Sequence, residues 1–332
     1  MLALANEPIV IKPLSFYISG IKDERPEKAL FAQLVFKSTE TTIADLQGGT
    51  VAALGKYFNR NLPKDKSQIP VVITVKEFKL TETLKPDGNV AGTVQLSLSF
   101  GLEKDYGIVN LLDNAGNVNY TRPLADTAAI ERTLRKILVG RLTHFNNWMQ
   151  TNKDSNRKLA KVVHITFTNY MEQPEGDTIY YSSNRPLRWD DFQSKSNDAG
   201  GKFDAEIMPS IGYDFKAEMA KGVLNVNIAL KAYVPKSACW AGGLRDTYVL
   251  NHEQRHFDIV KIIAEQFKQT IQKEPLTPDD FEGFINMQYL QSFRDMNTMQ
   301  KQYDKETRHG IDHSAQEKWN DKIDKELKAI AI

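Results

Sequence analysis

The sequence predicts an α+β protein with two domains: an N-terminal α+β module containing an antiparallel sheet, and a C-terminal half that ends in helices. Three observations support this prediction. The chain has 332 residues, more than one hydrophobic core usually organises. Two β-rich runs, 69–78 and 90–100, are joined by the turn signal Pro86-Asp87-Gly88-Asn89. Apolar residues recur at helical spacing in several later stretches, the longest over 246–273.

Residues 1–150 form the predicted N-terminal module. Besides the hairpin, the pattern predicts helices over 42–61 and 127–149, a second hairpin turning at Asn114-Ala115-Gly116-Asn117, and early strands over 9–11, 14–18 and 30–36. No set of residues in this half resembles a catalytic site. We therefore interpret it as a binding or docking module whose expected partner is another protein.

Residues 151–177 are predicted to be a linker or boundary region, because polar and charged residues are concentrated at both of its ends. A strand is predicted over 159–168, and it could be part of either the first or the second domain. The second domain then covers 178–332, with strands predicted over 205–215 and 223–234.

Composition excludes several classes of function. The net charge of +1 gives no electrostatic basis for binding nucleic acid or an anionic membrane. No run of 18 apolar residues predicts a membrane span. Cys239 is the one cysteine, so Cys-x-x-Cys metal sites and internal disulfides are excluded. The segment Ala3-Leu4-Ala5 has the form of a signal-peptidase site, which slightly favours export.

The longest predicted helix, 246–273, carries the motif His-Glu-x-x-His. His252 and His256 are four residues apart, so both imidazoles project from one helix face and can bind one Zn²⁺. Glu253 lies beside them and can act as a general base. Two histidines and a glutamate on a mostly apolar helix would be costly to bury without a partner.

A catalytic zinc needs a third protein ligand. Thr277 and Pro278 predict the start of a return helix that brings the segment after Tyr303 back toward the motif. We expect His309 to be this ligand, because Gly310 allows a tight turn there. His313, Asp304 and Glu306 are also candidates.

Further residues beside the motif match a known pattern. They are Leu187-Arg188-Trp189-Asp190-Asp191-Phe192, Ser237 and Trp240, Tyr303-Asp304-x-x-Thr307-x-His309-Gly310, and Gln316 with Trp319. With the motif, they make 178–330 resemble a family of bacterial domains of unknown function, predicted to be secreted or periplasmic zinc metallopeptidases. The resemblance implies a zincin-like metallopeptidase domain with His252 and His256 as ligands and Glu253 as base. It also supports a functional role for His309 and favours export.

The expected function is therefore zinc-dependent hydrolysis of a peptide or protein substrate, in the periplasm or outside the cell. Glu253 would take a proton from the attacking water and return it to the leaving amine. Tyr303 is expected to donate a hydrogen bond to the oxyanion, and Asp258 and Asp304 to orient imidazoles. Two different functions also fit the sequence: a non-catalytic zinc-containing scaffold protein of the cell envelope, and a zinc amidase acting on a non-peptide substrate.

Overall fold

The computed structural model describes residues 1–28, 31–37, 40–195 and 204–330. The chain divides into two compact units, Met1–Lys158 and Leu159–Ile332. The division falls inside the region that the sequence marks as a boundary. The strand near residue 160 belongs to the second unit, because its partner strand lies there.

The described residues of unit 1 form one sheet. Its strands are β1 (Phe16–Asp23), β2 (Ala32–Lys37), β3 (Glu40–Ala44), β4 (Ile69–Leu84), β5 (Asn89–Lys104) and β6 (Gly107–Pro123). Their order is β3-β2-β4-β5-β6, and β1 also pairs with β4. The expected hairpin between β4 and β5 is confirmed. The sheet is mixed, however, because β1 and β2 both run parallel to β4. The predicted antiparallel sheet is therefore confirmed for the pairs β2-β3, β4-β5 and β5-β6 and is wrong for the two parallel pairs.

Two helices, α1 (Thr50–Asn61) and α2 (Ala128–Asn152), belong to unit 1. The apolar face of α2 packs on the sheet: Phe145 stacks on Phe100 with ring centroids 4.2 Å apart and meets Phe16 edge-on at 4.9 Å. Aromatic contacts of this kind add to the free energy of burying the apolar area.

Three of the elements predicted in unit 1 differ from the structure: the helix over 42–61 is confirmed only from Thr50, whereas the turn at 114–117 and the strand over 9–11 are wrong. The stretch 42–61 begins as strand β3, and the helix starts only after Gly48 and Gly49, whose φ angles of 84° and 85° interrupt regular structure. The turn predicted at 114–117 is absent, since β6 runs straight through it. Gly116 serves a close approach instead: a Cβ there would lie 2.7 Å from Nη2 of Arg141. Residues 9–11 are not a strand.

Unit 2 is built on a second sheet in the order β10-β11-β7, with β8 also paired to β11. The strands are β7 (Val162–Asn169), β8 (Thr178–Tyr180), β10 (Ser210–Ala220) and β11 (Val223–Pro235). A separate two-stranded ladder joins β9 (Ala205–Glu206) to β12 (Trp240–Ala241). The single strand predicted over 205–215 is therefore two strands, β9 and β10.

Three long helices complete unit 2: α3 (Thr247–Lys273), α4 (Phe281–Thr307) and α5 (His313–Ile330). The expected helix over the motif is confirmed; Asp246 caps it by accepting a 2.9 Å hydrogen bond from the Val249 amide. The return helix begins at Phe281, three residues after Pro278, because Asp280 rather than Thr277 is its N-cap. No helix of the described residues is long and apolar enough to cross a membrane.

The core of unit 2 lies between α3, α4 and the sheet. Buried side chains of α3 and α4 pack against alternate residues of β11. The strand contributes Leu224, Val226, Ile228 and Leu230, and the helices contribute Val260, Ile263, Phe267, Ile271, Phe281, Ile285 and Met296. This core holds α3 in a fixed position, and the motif lies on its N-terminal third.

Candidate metal centre

The motif side chains lie inside unit 2. His252, Glu253 and His256 expose 6%, 3% and 8% of their surface, and the two imidazole centroids are 5.1 Å apart at an interplanar angle of 88°. Because successive turns of a helix place residues i and i+4 on one face, both rings point the same way from α3. Three polar side chains at this depth need partners.

A third side chain, Asp304 from the last turn of α4, meets both rings. Its Oδ1 lies 3.4 Å from Nε2 of His252 and 2.9 Å from Nε2 of His256. Each of the three residues offers one donor atom that lies within 4.8 Å of the donor atoms of the two others. Burial alone would raise the pKa of Asp304, but its polar contacts with the two histidines outweigh burial and hold that pKa well below the usual range.

Amide side chains hold the opposite edges of both rings. Nδ1 of His252 lies 2.9 Å from Oε1 of Gln316, and Nδ1 of His256 lies 3.0 Å from Oε1 of Gln300. Polar partners on this edge of an imidazole fix the ring orientation of metal ligands in proteins. Sequence reasoning did not assign these roles to the glutamines. The spacing of Gln300 and Asp304, four apart on one helix, was the available signal.

Glu253 lies in the same cavity as the three candidate ligands. Its Oε2 accepts a 3.1 Å hydrogen bond from the backbone amide of Ile207, which follows β9. Burial raises the pKa of Glu253, although the neighbouring histidines oppose the shift. A carboxyl group in this position can be protonated and deprotonated closer to neutral pH than an exposed one can.

The cavity has a volume of about 500 Å³ and is lined by both polar and apolar groups. Its far walls come from β9, from the start of α3 and from the turn between α4 and α5; the lining residues there include Glu206, Ile207, Leu244, Asp246, Tyr248, Val249, His309, Ile311 and His313. Candidate ligands, candidate base and open space therefore occur together.

His309, the expected third ligand, lies at the edge of this cavity with 46% of its side chain exposed. Its Nδ1 is 3.5 Å from Oδ1 of Asp304. It does not belong to the group that converges with His252 and His256, whereas Asp304 does. His309 follows the end of α4, where Arg308, His309 and Gly310 all have positive φ.

Neither His313 nor Glu306 belongs to the converging group. His313 lines the cavity and stacks on Tyr248 with ring centroids 4.1 Å apart. Glu306 accepts a 2.8 Å hydrogen bond from Nε1 of Trp319 and is not among the cavity residues. Asp304 is therefore the carboxylate that the structure brings to the motif.

Tyr303 is fully buried and does not line the cavity. Its ring stacks on His252 at 4.8 Å, and its hydroxyl lies 3.3 Å from the carbonyl oxygen of His252. The hydroxyl is thus directed at the backbone of α3 and not at the cavity, where an oxyanion would form. Burial raises the pKa of Tyr303 far above its ordinary value, so the group stays protonated.

Asp258 also differs from its expected role. It does not contact a motif imidazole; its carboxylate accepts hydrogen bonds from Tyr181, Gln254 and Arg255. It therefore links α3 to its surroundings on a face away from the candidate ligands.

Trp240 holds one wall of the cavity in place. Its Nε1 donates a 2.9 Å hydrogen bond to Glu206 and thereby ties β12 to β9. Ile207, whose amide binds Glu253, comes directly after β9.

Residues 237–310 match the model of DUF922, a family described as bacterial proteins of unknown function. The matched segment includes His252, Glu253, His256, Asp304 and His309. The resemblance to a bacterial family of unknown function is confirmed for these residues. A search of curated proteins finds no match.

Among solved structures, a crystal structure of a Xanthomonas campestris protein of the family DUF330 is similar at 12% sequence identity. The similarity covers 45% of this chain and 93% of that chain, with a TM-score of 0.29. A TM-score this low supports no conclusion about fold or function.

Proposed function

We propose that the protein is a zinc-dependent hydrolase, and that it acts as an exported metallopeptidase with a zincin-like C-terminal domain. One observation carries the proposal: His252, His256 and Asp304 place donor atoms within 4.8 Å of one another, in a cavity that also contains Glu253. A purely structural zinc site is closed by four ligands and has no need of a base.

The donor set fits zinc. Two imidazoles and one carboxylate are the ligand types of several catalytic zinc sites, which keep one position open. Ligand atoms arranged tetrahedrally at about 2.1 Å from zinc lie roughly 3.4 Å from one another. The two contacts of Asp304, at 3.4 and 2.9 Å, are close to that spacing. His309, whose Nδ1 is 3.5 Å from Oδ1 of Asp304, is the alternative third ligand.

A zinc ion held by His252, His256 and Asp304 would supply a lowered pKa for its bound water and polarisation of a substrate carbonyl. The residues of the chain supply the rest of the chemistry. The Glu253 carboxylate accepts a proton from the attacking water and delivers it to the leaving amine. The Ile207 amide holds the carboxylate in place. Burial, by raising the pKa of Glu253, makes it easier for the carboxylate to take up the proton.

The same proposal places the protein in the periplasm or outside the cell and gives it a peptide or protein substrate. It rests on the resemblance of 178–330 to bacterial domains predicted to be secreted or periplasmic, of which the family match covers 237–310. Unit 1 is proposed to bind an envelope protein. Cell fractionation of the source organism tests the location, and recovery of the protein in the cytosol alone would contradict it.

Glu253→Gln tests the catalytic role. The change preserves shape but removes the base, so we expect hydrolysis of a peptide library to fall by a factor of about 10² to 10⁴ while zinc stays bound. Glu265→Gln on the same helix is the matched control, because Glu265 pairs with Lys261 and Lys268 and does not line the cavity. Full activity in Glu253→Gln would remove the mechanism.

The same assays separate the proposal from its two rivals. Activity on cell-wall amides but not on peptides would reassign the protein as a non-peptide amidase. Zinc binding without hydrolysis of either substrate class would favour a scaffold protein.

A further inference from the structure

A closed set of hydrogen bonds connects the backbone of His252 to its own ring through two buried side chains. The hydroxyl of Tyr303 lies 3.3 Å from the carbonyl oxygen of His252. Nε2 of Gln316, on α5, lies 2.5 Å from the same hydroxyl, and Oε1 of Gln316 lies 2.9 Å from Nδ1 of the His252 ring. Tyr303 and Gln316 expose none of their surface, so water does not substitute for either side chain.

The direction of each hydrogen bond in this set follows from what each group can donate. A backbone carbonyl oxygen only accepts, so the Tyr303 hydroxyl must donate its single proton to it. The hydroxyl oxygen then has no proton left for Gln316 and must accept from it. Gln316 therefore presents its NH₂ group to Tyr303, and its carbonyl oxygen is the atom that faces the imidazole of His252.

A second contact fixes the same orientation independently. Nε of Arg255 lies 3.1 Å from Oδ1 of Asn320, and a guanidinium only donates, so that atom of Asn320 is an acceptor. Gln316 Nε2 lies 3.0 Å from the same oxygen. The Gln316 amide nitrogen thus meets two acceptors, and reversing the amide would place an oxygen against both.

We infer that Tyr303, Gln316 and Asn320 together fix the ring tautomer of His252, with the proton on Nδ1 and the lone pair on Nε2. An amide oxygen accepts and cannot donate, so the ring nitrogen facing it carries the proton. The inference gives Nε2 the form that a metal requires, and to that extent it rests on the proposed function. Tyr303 and Gln316 act as positioning residues through His252.

This arrangement opposes the state that the ring would otherwise adopt. A neutral imidazole in water prefers the proton on Nε2, and the Asp304 carboxylate, 3.4 Å from Nε2 of His252, would accept that proton. Without the Gln316 oxygen, Nε2–H directed at Asp304 becomes the favoured tautomer. The lone pair needed for a metal would then be occupied.

Nitrogen-15 NMR of the histidine rings in metal-free protein, recorded in alkaline buffer, tests the inference. We expect Nδ1–H for His252 in the wild type and a shift to Nε2–H in Gln316→Leu. Tyr303→Phe removes one of the two acceptors that orient the Gln316 amide, so it should give a mixture of the two tautomers. Gln302→Leu is the matched control, since Gln302 is exposed and bonds to Glu306; it should leave the tautomer unchanged. Nε2–H in the wild type, or Nδ1–H kept in folded Gln316→Leu, would overturn the inference.

Zinc titration of the same four proteins gives a second readout. Loss of a group that orients a metal-binding histidine typically lowers metal affinity by about 10- to 100-fold. We expect a loss of this size in Gln316→Leu, a smaller loss in Tyr303→Phe and none in Gln302→Leu. Equal affinity in all four would contradict the positioning role.

The two readouts also separate this inference from the proposed function. Failure of the wild type itself to bind zinc would contradict the proposed function, while the NMR result would still decide the tautomer. If Gln316→Leu does not fold, Tyr303→Phe decides both measurements.

Discussion

At the scale of single residues, the site depends on one oxygen. Oδ1 of Asp304 lies within 3.5 Å of a nitrogen from each of His252, His256 and His309. A carboxylate surrounded by imidazoles either accepts hydrogen bonds from their N–H groups or binds a metal ion together with them. The low pKa of Asp304, which its polar contacts with the histidines maintain against burial, keeps its negative charge available for both.

Cys239 gives a prediction at this scale. The thiol is fully buried and donates to the Pro235 carbonyl oxygen, and burial raises its pKa to about 12. At pH 8 only about one thiol in ten thousand would be ionised, and the thiolate is the reactive form. We expect native protein to resist iodoacetamide at pH 8 and guanidinium-unfolded protein to react fully, measured by mass spectrometry. Rapid labelling of the native protein would show that the loop before β12 is open.

Sequence reasoning identified His252, Glu253 and His256 because their spacing along one helix is sufficient to bring them together. It chose His309 over Asp304 because glycine after a histidine suggests a turn. In the structure, Asp304 lies on the same face of α4 as Gln300, and the two side chains contact the two ring nitrogens of His256. The position of a residue around the α4 helix therefore indicates the third candidate ligand better than its residue type does. The link from Gln316 to His252 depends on the packing of α5 on α3, which no local pattern encodes.

At the scale of elements, α3 was the most predictable part of the chain and the N-terminal strands the least. The 27-residue amphipathic helix α3 repeats its apolar pattern many times, so the pattern predicts it well. In β6, by contrast, the expected turn depended on the conformation of one residue, Gly116, and the strand continues through it. The pattern could not show that Arg141 of α2 lies against that glycine. Pairing of β1 and β2 parallel to β4 is likewise a long-range contact.

The turn between α4 and α5 gives a prediction at this scale. Gly310 has a φ of 81°, and a Cβ there would lie 3.4 Å from Cγ and Nδ1 of His252. Gly310→Ala should therefore cost about 1 to 3 kcal/mol of stability, because a side chain is strained at this φ, and relaxation of the turn against the His252 ring should weaken zinc binding. Chemical unfolding and zinc titration measure the two effects.

Gly283→Ala is the matched control for this change. Gly283 lies in α4 with nothing within 4 Å of an added Cβ, and alanine is the better helix former. We expect a gain of about 0.5 to 1 kcal/mol and unchanged zinc affinity. The same zinc affinity in Gly310→Ala as in Gly283→Ala would show that the turn does not constrain His252.

At the scale of the whole molecule, all residues of the candidate centre belong to unit 2. Its sheet, its core and the helices that carry the ligands are also contained in 159–332. We therefore expect a fragment of 159–332 to fold and to bind zinc with the affinity of the full chain, as measured by circular dichroism and zinc titration. A folded fragment with greatly reduced affinity would mean that unit 1 contributes to the site.

The most direct test of the central claim is the zinc content of the purified protein, measured by mass spectrometry for the wild type, Asp304→Asn and His309→Ala. We expect about one zinc per chain in the wild type and in His309→Ala, and little or none in Asp304→Asn, because Asp304 converges with His252 and His256. Zinc kept by Asp304→Asn and lost by His309→Ala would move the third ligand to His309. No zinc in the wild type, even after incubation with the metal, would contradict the claim that this site binds zinc.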